Sequence, residues 1–454
     1  MPHYRDVIPP RITPPAKPLG RLAFISTFVR NPLEAIPQAV YEQDIVALPG
    51  AGPRGAWITS PSLVKTVLLD ERDKFRKLTQ IRLLGPLLGK GLLTSEGADW
   101  KWQRQAAAPM FRTAELAAFV PRFVQAAQAT LARWRASPAG QVQAIDEEMT
   151  RATFDVISTT LLPSQGEEFG ATVQRAVETL RRFGGWDIFY AALNLPRWVP
   201  RPGYLGKLRA MRTLRAEVLQ RLDEHRARAS GGDDLMKRLV AARDPESGRA
   251  MDDEQLVDNL LTFYLAGHET TATALAWTLH LLAHSPEWTR SLEQEIDEVT
   301  RGAPVAFDHL ERLVRVQQVI KESMRLLPPV PMMSRQAAVD VTLEGQRLAA
   351  GASVLIPIYV IHRHARRWER PDEFDPDRFA PAREEEMPRY QYMPFGAGPR
   401  VCIGRSFAMA EAAVILATLV RGARFAPPGT PPVEVLAGVT LRAREGLALR
   451  VTPR

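Results

Sequence analysis

The only cysteine in this chain of 454 residues, Cys402, stands in Phe395-Gly396-Ala397-Gly398-Pro399-Arg400-Val401-Cys402-Ile403-Gly404. Two glycines and a proline make a tight, pre-shaped loop, and an alanine-rich helix is expected to begin near Ile403. Unpaired N–H groups and the dipole at a helix start favour a thiolate over a thiol. The same groups can donate to the sulfur and tune a metal that it holds. Phe395 can shield the sulfur from water. Gly404, having no side chain, lets the helix approach a flat macrocycle closely. A lone cysteine is by default a buried structural residue; the loop around this one argues against that.

A second group is Ala266-Gly267-His268-Glu269-Thr270-Thr271. Ala266 and Thr270 are four apart and share a helical face, with Gly267 leaving a gap beside them in which a small ligand could sit. The Thr270 hydroxyl could instead bond back to the carbonyl of Ala266. Glu322 and Arg325 are one turn apart and can pair, and Trp100 and Arg104 share a face. His362 and His364 stand two apart, but no cysteine or acidic residue has metal-ligand spacing with them. Gly396 and Gly398 are not a dinucleotide fingerprint, because no βαβ unit surrounds them. No glycine-rich flavin or NAD segment occurs elsewhere.

The element that must position the second group is a long helix. Asp252 can cap it, with Gln255 three residues on, and Ser285-Pro286 ends it and starts the next. About 32 residues at ~1.5 Å each make a rod of roughly 48 Å. It is apolar on most faces, so it should be buried. A buried helix has no packing need for glycine, threonine and a carboxylate in its middle, and such breaks of local rules gather at functional sites. Further helices are expected over 113–135, 205–229 and 235–242. Strands are expected over 45–48 and 56–58 about a turn at 50–55, over 341–343 and 346–348 across Glu344-Gly345, and over 353–358. Breaks fall near 136–140, 196–206, 231–234 and 244–249, and there is no internal repeat.

Hydrophobic residues make up 45% of the chain and charged ones 24%, which suits a globular protein with a real core and excludes wholesale disorder. The net charge is +8. Basic residues such as Arg209, Arg212, Arg215, Arg221 and Arg226 are interleaved with apolar or acidic ones, as on solvated helix faces, so no nucleic-acid partner is expected. Such a surface can attract an acidic protein. One cysteine rules out an internal disulfide and suits a reducing cytosol. Prolines 2, 9, 10, 14, 15 and 18 make residues 1–18 an extended arm. The apolar stretch 19–29 is broken by Arg21 and falls short of the ~20 residues that span a bilayer. No membrane anchor is expected, and the composition points to a bacterial, cytoplasmic enzyme.

The loop 395–404 resembles the haem-binding signature of the cytochrome P450 family, with phenylalanine first, arginine sixth, cysteine eighth and glycine tenth. Three further elements match that family in order, so the resemblance covers at least residues 94–411. It implies a mainly α, helix-rich prism with a small β region, built as one haem domain over residues 1–454. It implies haem b held by Cys402, with Phe395, Gly396, Gly404, Ala266 and Gly267 around it. Trp100, Arg104, Arg335 and Arg400 are then propionate contacts. Thr270 hydrogen-bonds the bound dioxygen and Glu269 relays protons to it. Glu322 and Arg325, joined by Arg378 of Pro376-Asp377-Arg378-Phe379, form a structural triad. Asp377 stands where the family often has glutamate.

The implied reaction inserts one atom of O2 into a C–H bond, with thiolate donation helping O–O cleavage. Two electrons come from a separate ferredoxin or flavodoxin docking near Arg400, Arg405 and Arg112. Phe263, Ala266, Met332, Met333 and residues 81–93 are pocket candidates. Their apolar character favours a lipophilic substrate such as a fatty acid or terpenoid. Two rivals are a peroxide-driven thiolate-haem peroxygenase, against which Glu269 and Thr270 argue, and a non-enzymatic haem sensor.

Overall fold

The structure is a computed structural model that describes residues 9–49, 52–161, 199–200, 202–227, 235–429 and 432–454, with 172, 175, 176, 179 and 190 between. The expected break at 231–234 lies outside the described residues, as do parts of those at 50–55 and 196–206. The chain packs as two units. One comprises Met1–Arg76, Leu116–Thr153 and Glu269–Arg454, and the other Lys77–Glu115 and Phe154–His268.

In the first unit, residues 9–20 hold no helix, as six prolines between positions 2 and 18 dictate. This arm is tied down by Ile12 N–H donating to the Tyr359 hydroxyl at 3.1 Å and by Arg11 pairing with Asp372 at 3.0 Å. A five-stranded mixed sheet runs in the order Ile45–Ala47, Gly55–Ile58, Ser353–Ile356, Met333–Ala337 and Phe75–Arg76. Its inner strand Gly55–Ile58 is buried at every position. The expected strand 353–358 ends two residues early, because Pro357 starts the short helix Ile358–Ile361. Val341–Leu343 pairs with Gln346–Leu348 through Glu344 and Gly345, at φ 45° and 81°. Positive φ at both turn positions matches the right-handed twist of a two-residue hairpin.

A three-stranded sheet of Gln141–Ala144, Ala448–Pro453 and Ala423–Ala426, a ribbon of Val435–Ala437 with Leu441–Ala443, and several helices make up much of the rest of this unit. The expected helix 113–135 is two, Thr113–Leu116 and Val120–Arg135. Pro121 lacks the N–H that a continuous helix needs, so it opens the second piece. Val120–Arg135 lies along Arg405–Gly422 closely enough that a Cβ on Gly422 would strike Leu131. Val314–Leu326 and Pro286–Thr300 are further helices of this unit.

The long helix spans Asp253–Ala283, and Gln255 N–H donates to the Asp252 carboxylate at 2.8 Å, as its capping pattern requires. Residues up to His268 belong to the second unit and those from Glu269 to the first.

In the second unit the long helix is tied to the loop after the helix Leu78–Leu88. Asp258, almost fully buried, accepts from Lys90 N–H at 2.7 Å and pairs with Arg215 at 2.6 Å. Arg215 stands on the helix Tyr204–Ala227. Asn259 accepts from Leu92 N–H at 3.0 Å and donates to Gln103 at 3.1 Å. The loop comes this near only because Gly89 has no side chain, since a Cβ there would collide with the Asp258 carboxylate.

Candidate active site

Cys402 follows a 3-10 turn, Gly398–Arg400, and precedes the helix Arg405–Gly422. Its N–H donates to the Phe395 carbonyl at 2.9 Å, and Gly396 N–H donates to that of Met393 at 3.0 Å, so the loop folds back on itself. Gly396 and Gly398 hold φ of 73° and 69°, where side chains are strained. A Cβ on Gly398 would also run into the carbonyl of Leu68. The helix begins at Arg405, two residues later than the sequence suggests, with Gly404 as its N-cap. The thiol lies just before a helix N-terminus and is exposed to solvent. The Arg405 guanidinium carbon lies 6.0 Å from the Phe395 ring centroid.

The strand Met333–Ala337 runs beside this loop. The sulfur of Met333 would be 3.4 Å from a Cβ on Gly396. Arg335, two residues along the same strand face, is buried, and one of its Nη groups donates to the Ser334 carbonyl at 2.8 Å. Arg400 ends the 3-10 turn and Met332 is half-buried.

Glu322 and Arg325 are both fully buried. Arg325 Nε and Nη2 donate to the two Glu322 oxygens at 2.6 and 2.8 Å. Arg378 reaches the pair with Nε 3.4 Å from Glu322 Oε1, and its Nη2 donates to the Arg370 carbonyl at 2.9 Å. Burial pushes the Arg378 guanidinium below its ordinary range, and the nearby glutamate opposes that. His362 sits beside this cluster, its Nε2 accepting from Met393 N–H at 2.9 Å while its ring stacks on Tyr392. Burial and then the positive charge of Arg325 push His362 down to about 3. It is a neutral packing residue that holds the chain just before the cysteine loop.

Glu269 answers the cost of a carboxylate in this helix by pairing with Arg442 and accepting from the Thr440 hydroxyl at 2.6 Å. Thr270 follows it in the same unit. Thr271 hydrogen-bonds to Glu411, which is almost wholly buried; burial raises that carboxyl well above its ordinary range, and the hydrogen bond from Thr271 opposes the rise. Thr440, Arg442 and Glu411 carried no signal in the sequence. They meet residues 269–271 only through contacts more than a hundred positions apart.

The second unit holds the remaining candidates. Trp100 and Arg104 stand on one face of the helix Gly97–Ala107, the guanidinium carbon 5.8 Å from the indole centroid. Phe263 is buried against Phe111, their centroids 5.7 Å apart. His268 is buried, with Nδ1 2.6 Å from the Tyr264 carbonyl and its ring edge-on to Phe154. Gly267 does not leave the gap expected of it. A Cβ there would be 2.8 Å from Ile157 Cδ1, so its bare face admits a neighbouring helix rather than a ligand.

Helices around a small mixed sheet, with one cysteine offered from a glycine-hinged loop at a helix start, are the frame of a haem-thiolate enzyme. The Cytochrome P450 family model matches residues 44–448. The chain is 33% identical over 407 residues to cyclooctat-9-en-7-ol 5-monooxygenase of Streptomyces melanosporofaciens, covering 88% of this chain and 87% of that protein. It is 30% identical to pentalenene oxygenase of Streptomyces avermitilis, covering 94% of each. The crystal structure of the cytochrome P450DA heme domain superposes with a TM-score of 0.81 at 26% identity, over 98% of this chain and 99% of that one.

The chain belongs to the cytochrome P450 family. It is a monooxygenase, and haem b is its cofactor. Cys402 suits that cofactor: a single exposed sulfur at a helix start supplies one soft anionic ligand. No helix among the described residues is long and apolar enough to cross a membrane.

Proposed function

We propose that this protein inserts one oxygen atom of O2 into a C–H bond of a lipophilic small molecule of the terpenoid class. The observation that carries the reading is Cys402 on its back-folded loop just before a helix start, in a chain similar to a cyclooctat-9-en-7-ol 5-monooxygenase and a pentalenene oxygenase of Streptomyces. Haem b bound through that sulfur supplies the oxygen activation.

The chain's own residues do the rest. Backbone N–H groups at the start of the helix Arg405–Gly422 stabilise the thiolate. Arg335, Arg400 and Arg104 would take the haem propionates, since a guanidinium donating to a carboxylate is the favourable pairing, and the Trp100 indole N–H would donate to one. Glu269, a fifth exposed, exchanges protons with solvent, and the Thr270 hydroxyl beside it hands them on. Phe263, Ala266, Met332 and Met333 present apolar surface to the substrate. The Glu322–Arg325–Arg378 cluster is structural. Residues 1–454 act as one haem domain, as the family match through residue 448 supports.

Electrons come from a separate ferredoxin or flavodoxin. The exposed Arg405 beside the cysteine loop, and the exposed Arg112, favour an acidic partner. Electron transfer should slow with rising ionic strength and with Arg405→Glu. Indifference to both would remove this docking site.

The test of the whole reading is the spectrum of the dithionite-reduced protein with carbon monoxide. A strongly red-shifted Soret band, lost in Cys402→Ser, is expected. A band at the histidine-ligated position in folded protein would exclude the thiolate. Terpenoids and fatty acids are then compared for spin-state shifts and for product that requires both O2 and reductant. Turnover that ignores reductant would favour the peroxygenase.

A further inference from the structure

We propose that Thr440 and Arg442 are positioning residues for Glu269 that fix which of its two oxygens handles protons. The proposal rests on the proton-relay reading of Glu269 given above.

The strand Leu441–Ala443 pairs antiparallel with Val435–Ala437, Leu436 facing Arg442. Thr440, in the bend just before this strand, and Arg442 within it both reach Glu269. The backbone between them is anchored twice. Leu441 N–H donates to the Pro329 carbonyl at 2.9 Å, and the Leu441 carbonyl accepts from the Trp277 indole at 3.0 Å. Trp277 is fully buried and lies two turns along the same helix from Glu269. The hairpin and this stretch of helix are thus locked in register.

At the open end of that lock the three polar side chains close a ring. The Thr440 hydroxyl donates to Glu269 Oε1 at 2.6 Å, an Arg442 Nη donates to the same oxygen, and Arg442 Nε donates to Thr440 Oγ1 at 3.0 Å. Each side chain is the partner of the other two. Two donors on one oxygen stop the carboxylate from turning about its terminal bond. Among the described residues Oε2 has no hydrogen-bond partner, so it is the oxygen left to take a proton and pass it on. The ring also keeps Glu269 and Arg442 only about a quarter exposed, close to water without being dissolved in it. A free glutamate would sample many rotamers, and relay chemistry depends on the donor being in place.

The experiment compares Arg442→Gln, Thr440→Val, Arg442→Lys and Glu269→Gln as holoproteins, on a substrate that shifts the wild-type spin state. Substrate Kd from that shift is expected to stay within about two-fold, since none of these residues is assigned to the pocket. Product formed per electron consumed is expected to fall about ten-fold in Arg442→Gln and Thr440→Val, part of the ~100-fold or more that a positioned acid–base group supplies. Arg442→Lys, which keeps a cation, should recover most of the loss. A second readout needs no turnover. In denaturant unfolding of the resting protein, Glu269→Gln and Arg442→Gln should be non-additive, as contacting residues are.

Additive unfolding effects, or wild-type coupling in both Arg442→Gln and Thr440→Val, would overturn the proposal. If Glu269→Gln itself stays fully coupled, the relay reading beneath it fails instead.

Discussion

Arg325 spends all five of its N–H donors inside the protein, two of them on Glu322. Nε and Nη2 reach the Glu322 oxygens, Nη1 donates to the carbonyls of His362 and Pro371 at 2.8 and 2.7 Å, and Nη2 also donates to that of Glu373 at 2.9 Å. A guanidinium has five donors in a fixed fork, so no other side chain can answer this set of acceptors.

Arg325→Lys should therefore behave as a disruptive change. Removing one partner of a buried pair costs about 3–5 kcal/mol. The denaturation midpoint should fall sharply, and haem retention with it, because segment 362–373 leads into the cysteine loop. A midpoint within error of wild type would show that the network is not holding this segment.

Thr270→Ala tests the hydroxyl of the relay. The protein should keep its haem and go on consuming reductant, but product should drop and hydrogen peroxide appear in its place. Quantifying peroxide against product decides the matter, since a fully coupled Thr270→Ala protein takes Thr270 out of proton delivery.

His362 gives a pH dependence with a definite sign. Its folded value is pushed from 6.5 to about 3, so between these limits the unfolded chain binds more protons than the folded one. Its contribution to stability is complete above pH ~6.5 and is lost as pH falls toward 3. His362→Gln keeps an acceptor for Met393 N–H without a titrating group. Unfolding midpoints from pH 7 to 4 should fall less steeply in the variant; parallel curves would contradict the assignment.

Gly267 and Ile157 make a steric pair. Alanine at 267 meets only the flexible end of Ile157 and gains about 1 kcal/mol of helix propensity over glycine, so Gly267→Ala should be near neutral. Gly267→Leu should destabilise by roughly 1–3 kcal/mol through overpacking. Ile157→Ala in the same chain should recover part of that loss, and thermal unfolding of the three variants reads the effect directly.

Local rules make several elements legible in the amino-acid sequence. Asp252 and Gln255 mark the start of the long helix and Ser285-Pro286 its end, because capping bonds and a missing proline N–H act within four residues. Glu344-Gly345 marks a hairpin for the same reason. Pro121 is the same kind of signal. The apolar periodicity across 113–135 conceals it, and the helix breaks there.

What the sequence determined by itself was the shape of the loop that presents Cys402: two glycines, which take positive φ, a proline and a helix start lie within about ten residues, so local geometry is enough. The same holds for Glu322 and Arg325, a single turn apart. The tertiary structure alone decided what surrounds residues 266–271. Ile157 fills the side of Gly267, Arg442 and Thr440 take Glu269, and Glu411 meets Thr271. No spacing encodes these pairings, because each depends on how separate helices and a hairpin pack. Packing answers to the shape and charge of the whole core rather than to any one stretch of chain.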